Sequence, residues 1–275
     1  MITVLDLTIS ELRKITEVVK DKYSYDFTNY ASSSFKRRIL RILELKKISL
    51  EQLVDLILKN QFSKDAFLHE ITVNVTEMYR DPSFWKTLRI QIPEMLASRD
   101  KLRIWHAGCS SGEEVYSMLI MLKELNVLDR VEIIASDIDT SILQRAKEGK
   151  ISNKNMELNI SNYQRANGLS DFNSYFSVEK ENSVFSKTLL SAVSFREIDL
   201  VKAIPFTKCD MILCRNVLIY FNQILQNNVL KLFTDCMFMG GYLVIGAKES
   251  IAWCDVASKF ATINLEEKIY KKIKE

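Results

Sequence analysis

Histidine is scarce in this chain: two in 275 residues, with five cysteines that form no CxxC pair. Neither type reaches the number or spacing of a zinc site, and no metal is expected. An odd set of thiols at irregular intervals suits a reducing compartment better than a disulfide scaffold. Cys209, Cys214 and Cys236 read as small buried apolar residues. An excess of one charge is also lacking. Thirty-eight basic against 35 acidic residues leave +3, too little to point to nucleic acid. No apolar run reaches the ~18 residues of a transmembrane helix, so no membrane insertion is expected. The opening MITVLDLTISELRK does not follow a signal-peptide pattern, and a cytoplasmic location is expected. Internal repeats and low-complexity tracts are missing too.

What is there is ordinary globular material, 47% hydrophobic and 27% charged, long enough for one large domain or two smaller ones. Residues 8–72 contain no glycine or proline and carry helical periodicity. ISELRKITEVVKDKY places Ile9, Leu12, Ile15, Val18 and Val19 on one stripe. SSSFKRRILRILELKK reads as a second helix with Ser34 as a candidate N-cap, and LEQLVDLILKN and DAFLHEIT as two more. After Asp81-Pro82 the texture changes. Strand candidates at 102–108, 131–139, 193–200, 209–216 and 240–250 alternate with helical stretches. That alternation predicts an α/β fold with a mostly parallel sheet and ligand loops at the carboxyl ends of its strands. The expected organisation is a helical bundle over 1–72, a bridging segment over 73–85 and an α/β domain over 86–275. Within the last, the asparagine-rich stretch 150–195 reads as an insertion carrying a small antiparallel element.

The chemistry concentrates at strand ends. IWHAGCSSGEEVYS (104–117) turns through Gly108 and Gly112 into a helix opened by Glu113 and Glu114, with no GKS or GKT. A phosphate cradle would not place carboxylates there. In the next strand end, SDID, Asp137 or Asp139 stands where an acid accepts the hydroxyls of a ribose, or else caps the following helix. A dinucleotide would bring a pyrophosphate toward the two glutamates, whereas S-adenosylmethionine brings an ammonium and a sulfonium. The acids therefore favour the methyl donor, against the simpler reading that they complement a helix dipole. Two further stretches add polar groups: Asn74, Thr76 and Arg80 in NVTEMYRDPSFW, and Arg215 and Asn216 in LCRNVLIYF.

Taken together and in this order, NVTEMYRDPSFW, IWHAGCSSGEEVYS, ASDIDTSILQRAKEG, CRNVLIYF and GGYLVIGAKES resemble the CheR-type chemotaxis receptor methyltransferases, which are protein-glutamate O-methyltransferases. The resemblance covers essentially the whole chain. It implies a Rossmann-like class I methyltransferase sheet behind an all-α N-terminal domain, with a small β subdomain falling in 150–195. It implies binding of S-adenosylmethionine, with S-adenosylhomocysteine as product. By position, Asn74, Thr76 and Arg80 match the family's segment that closes over the cofactor, Glu114 the acid near its amino group and Asp137 the acid on its ribose. Asp199-Leu200 stand where the family usually has Asn-Leu beside the adenine. Arg215 and Asn216 match a strand-end pair, and Tyr220 a tyrosine near the reacting centre. Met78 replaces a usual aromatic and Val115 a usual proline.

The implied reaction gives γ-glutamyl methyl esters on the cytoplasmic helical domain of chemotaxis receptors, near the membrane only through the receptor. Arg80 is expected to steer the incoming carboxylate, with Tyr220 assisting. A glutamate of pKa near ~4.3 is already ionised and needs no general base. His69 and His106 are accordingly read as structural. Lys36, Arg37, Arg38 and Arg41 offer either a docking face for acidic receptor helices or a solvated helix surface. Methylation of another protein or a small molecule, and a non-catalytic module that senses S-adenosylmethionine, are the alternatives.

Overall fold

Four helices come first in the computed structural model, which describes residues 6–275. Helix α1 (Ile9–Tyr23) starts at a capping box in which Thr8 accepts from the Glu11 N–H and the Glu11 carboxylate takes the Thr8 N–H at 2.7 Å. Ser49 and Gln52 repeat the device at α3 (Leu50–Leu58), and Ser63 caps α4 (Lys64–Ile71). Helix α2 (Ser32–Lys46) differs from expectation: Ala31 occupies the N-cap with no side-chain bond, and Ser34 lies inside the first turn. Ile15, Val19, Ile39, Ile42, Leu53, Ile57 and Phe67 are fully buried between the four helices. Ile9 leaves the predicted stripe; it is the first residue of α1 and is 72% exposed.

The second part alternates as its pattern requires: α5 (Pro82–Ala97), β1 (Leu102–Ala107), α6 (Glu113–Glu124), β2 (Val131–Asp137) and α7 (Thr140–Glu148). The insertion follows as β3 (Lys150–Ser152), α8 (Met156–Arg165), β4 (Phe176–Glu179), β5 (Asn182–Phe185) and α9 (Lys187–Leu190). The chain then closes with β6 (Val193–Glu197), β7 (Cys209–Cys214), α10 (Gln223–Asp235), β8 (Met237–Ile245), β9 (Phe260–Asn264) and β10 (Ile269–Lys272). Seven strands form one sheet in the order β6-β2-β1-β7-β8-β10-β9. The first five are parallel, and the last two pair antiparallel. Every residue of CDMILC is buried, as a central parallel strand covered on both faces demands.

From β1 the chain winds outward through β2 to β6, then returns to β7 on the other side of β1. This reversal opens a crevice at the carboxyl ends of β1 and β7, the place where doubly wound sheets bind ligands. The helical bundle borders the crevice. The Ala31 N–H donates to the Tyr220 carbonyl at 2.8 Å, and the Tyr30 and Phe221 rings meet edge to face at 5.2 Å.

The insertion holds a three-stranded antiparallel sheet, β3-β5-β4. It also holds α8, which polarity concealed. Two buried asparagines of α8 clamp the bridging segment: Asn159 Oδ1 accepts from the Met78 N–H at 3.0 Å, and Asn162 Nδ2 donates to the Met78 carbonyl at 3.1 Å.

Candidate active site

A cavity of about 340 Å³ occupies the crevice, within the ~300–1,000 Å³ of small-molecule sites. Asn74, Thr76, Arg80, Glu114, Asp137, Asp199, Leu200, Arg215, Asn216 and Tyr220 all line it. Residues far apart in sequence thus converge because each follows a parallel strand or belongs to the segment laid across the strand ends.

Glu114 enters from the first turn of α6 with both oxygens engaged. Oε1 meets His106 Nδ1 at 2.8 Å and Oε2 meets Arg215 Nη1 at 3.1 Å. Burial alone would raise its pKa, but His106 and Arg215 outweigh that and hold the carboxyl below its usual range. Arg215 is not an exposed strand-end cation. It lies over the Phe84 ring at 4.3 Å and bonds Asp81 at 2.6 Å and the Arg80 carbonyl at 3.3 Å. Its work is to fix Glu114. Glu113 points elsewhere: it is buried, accepts from the Ser111 hydroxyl at 2.7 Å, and does not line the cavity.

The two acids of SDID divide their tasks. Asp139 caps α7 by accepting from the Ser141 and Ile142 N–H groups at 2.9 and 3.1 Å. Its other oxygen receives Asn74 Nδ2 at 3.3 Å and faces His69 Nδ1 at 3.2 Å, tying α4 and the bridging segment to α7. Asp137 lines the cavity and accepts from the Ser110 N–H at 2.8 Å and the Asp139 N–H at 3.0 Å. Burial raises its pKa despite these two donors. Asp199 is raised for the same reason, with its Oδ1 on the Val201 N–H at 2.9 Å. Asn216 adopts a left-handed φ of 62° and donates its N–H to Glu249. Glu249, from the GAKES stretch, is a residue that sequence reasoning passed over. It also accepts from Ile219 at 3.2 Å and from Gly246, so it shapes the loop carrying Asn216 and Tyr220.

The glycines serve packing more than ligand clearance. A Cβ on Gly112 (φ +96°) would lie 2.6 Å from the Tyr116 hydroxyl, and one on Gly108 (φ +79°) 2.6 Å from Val217 Cγ2.

The Arg80 side chain has neither a hydrogen bond nor an ion pair among the described residues, although its carbonyl receives Trp85 Nε1 and Arg215. Arg38 lines the same cavity, and its buried Nε has no partner among the described residues. Tyr220 lines the cavity within reach of these charges. Burial raises its pKa, and Arg38, Arg37 and Arg80 oppose the rise. The expected single basic face on α2 therefore separates. Lys36 pairs with Asp6, Arg38 lines the cavity, and of the four only Arg37 and Arg41 are exposed. A helix turn of about 100° per residue allows no other outcome for adjacent side chains.

The lining fits S-adenosylmethionine. An ionised Glu114 suits an ammonium, and Asp137 retains acceptor capacity for hydroxyl donors. The buried Ser110 hydroxyl has no partner among the described residues and is free to meet a polar ligand group. A pyrophosphate would meet both carboxylates. Comparison with known proteins agrees. Residues 74–269 match the family described as CheR methyltransferase, SAM binding domain, and residues 10–72 match its all-alpha domain. A protein of Pseudomonas putida, provisionally named methyltransferase Cher3, is 36% identical over 263 residues, covering 95% of this chain and 96% of that one. A chemotaxis protein methyltransferase of Listeria innocua is 34% identical, covering 86% and 88%. One of Borreliella burgdorferi is 27% identical, covering 90% of each. The chain belongs to the CheR family of S-adenosylmethionine-dependent methyltransferases.

Proposed function

We propose that this enzyme methylates glutamate side-chain carboxylates on the cytoplasmic helical domain of chemotaxis receptors, forming γ-glutamyl methyl esters in the cytoplasm. The observation that carries this reading is the Arg80 guanidinium, without a partner among the described residues, which lines with Arg38 and Tyr220 the same cavity as Glu114 and Asp137. S-adenosylmethionine, when bound, supplies an electrophilic methyl group on a positively charged sulfur.

This chain's residues hold and orient. Glu114 receives the donor's ammonium, Asp137 its ribose hydroxyls, Asp199 and Leu200 its adenine, and Asn74 and Thr76 lie along the segment that covers it. Arg80 receives the acceptor carboxylate in its planar fork, and Tyr220 donates a hydrogen bond beside it. No residue needs to take a proton, because the acceptor carboxylate is already ionised near neutral pH. The residues instead exclude water and fix the approach, where most of the rate gain of such a displacement lies. Held too tightly, the acceptor would lose nucleophilicity, so one arginine and one hydroxyl suit the task better than a closed ion pair.

The test is transfer of radiolabelled methyl to receptor cytoplasmic fragments, followed by mild alkali. Release of label as methanol is expected. A base-stable product would overturn the ester assignment, and absence of transfer to any receptor fragment would overturn the acceptor.

A further inference from the structure

His106 has no place in the reaction as drawn, yet it is fully buried and touches the site. It lies on β1, 0% exposed, with Nδ1 2.8 Å from Glu114 Oε1. Its other nitrogen, Nε2, is buried and has no hydrogen-bond partner among the described residues. Those two facts select one form of the ring. With the proton on Nδ1, the imidazole donates to Glu114 and leaves a bare lone pair in an apolar setting. An imidazolium would leave a charged N–H buried without an acceptor, which costs more.

The surrounding charges point the same way. Glu114 and Asp81 contribute two negative charges and Arg215 one positive, leaving one net negative charge around Glu114. A ligand ammonium balances it, whereas a protonated His106 would cancel it in advance. Asp137 of β2 borders the same cavity, and Cys214 of β7 stays neutral because burial pushes its thiol up. We infer that neutral His106 is a positioning residue: it aims the Glu114 carboxylate at the donor's ammonium and keeps that corner of the cavity negative. This rests on the reading of Glu114 as the ammonium site.

Two ligands that share an adenosine end separate this role from a merely structural one. S-adenosylhomocysteine carries the ammonium; 5′-methylthioadenosine lacks the amino-acid end altogether. Calorimetric titration of the purified protein should show His106→Leu weakening S-adenosylhomocysteine on the order of tenfold to a hundredfold, while methylthioadenosine changes by less than about twofold. His106→Asn, which keeps an N–H near the Nδ1 position, should restore most of the loss. Equal weakening of both ligands in the Leu variant, or no recovery of S-adenosylhomocysteine affinity in the Asn variant, would overturn the role. Methylthioadenosine binding with no preference for S-adenosylhomocysteine would overturn the Glu114 reading while leaving the adenosine site intact.

Discussion

Arg215 and Asp81 meet at 2.6 Å, which pins the loop after β7 to the residue that opens α5. The two partners are unequally placed: the Arg215 side chain is 3% exposed and that of Asp81 39%. Removing the buried partner strands Glu114, so Arg215→Met should destabilise the fold by about 3 kcal/mol. Asp81→Asn leaves a group that water can replace and should cost less than about 1 kcal/mol. Urea unfolding monitored by circular dichroism measures both, and equal midpoints for the two variants would contradict the inequality.

Two left-handed glycines should respond differently to the same substitution. At Gly112 (φ +96°) a methyl would strike the Tyr116 ring within 2.6–2.9 Å, and that tyrosine is held by hydrogen bonds to the carbonyls of Ser111 and Ala146 at 3.0 and 2.8 Å. At Gly240 (φ +74°) the nearest atom is the flexible Lys271 Cε at 3.7 Å. Gly112→Ala should cost about 2–4 kcal/mol, from strain and overpacking together. Gly240→Ala should cost about 1 kcal/mol, from backbone strain alone. Thermal melts of the two variants would rank them.

The sheet was legible because its strands are apolar runs ending in acids or turns, and because parallel order brings those ends together. Burial explains the rest. Helix α8 was concealed because two of the three residues it buries are Asn159 and Asn162, which read as surface until Met78 is seen to need their hydrogen bonds. Arg38 was grouped with its basic neighbours, yet it stands three residues after buried Phe35, at the edge of the packed stripe. That spacing was the available signal. His106 was read as structural because nothing in a strand sequence reveals a partner on the next helix.

Proton release should accompany binding at Asp137. Burial raises its pKa in the free protein, so the ionised form is disfavoured and fold stability falls as pH rises from the unfolded value, ~3.9, through the raised folded one. Hydroxyl donors from a ribose would stabilise the ionised form and lower the pKa again. Methylthioadenosine, which lacks the ammonium, should therefore bind more tightly as pH rises through the free-protein pKa and release protons there. Titration in two buffers of different ionisation enthalpy measures that release. It should vanish in Asp137→Asn; release that persists would place the titrating group elsewhere.

Arg80 and Asp137 line one cavity but should fail in different ways. With Asp137 proposed to receive the donor's ribose, Asp137→Ala should weaken S-adenosylhomocysteine on the order of tenfold to a hundredfold. The Arg80 guanidinium, without a protein partner among the described residues, should leave donor affinity within about threefold when removed. Arg80→Ala should nevertheless lower methyl transfer at saturating donor by about a hundredfold or more, because the acceptor loses its orientation. Arg80→Lys keeps the charge but not the planar fork, and should recover only part of that loss. Single-turnover transfer and calorimetric binding on the same preparations separate the two effects. Equal loss of donor binding in Arg80→Ala and Asp137→Ala would remove the proposed steering role, since a residue that acts on the acceptor has no reason to be felt by the product alone.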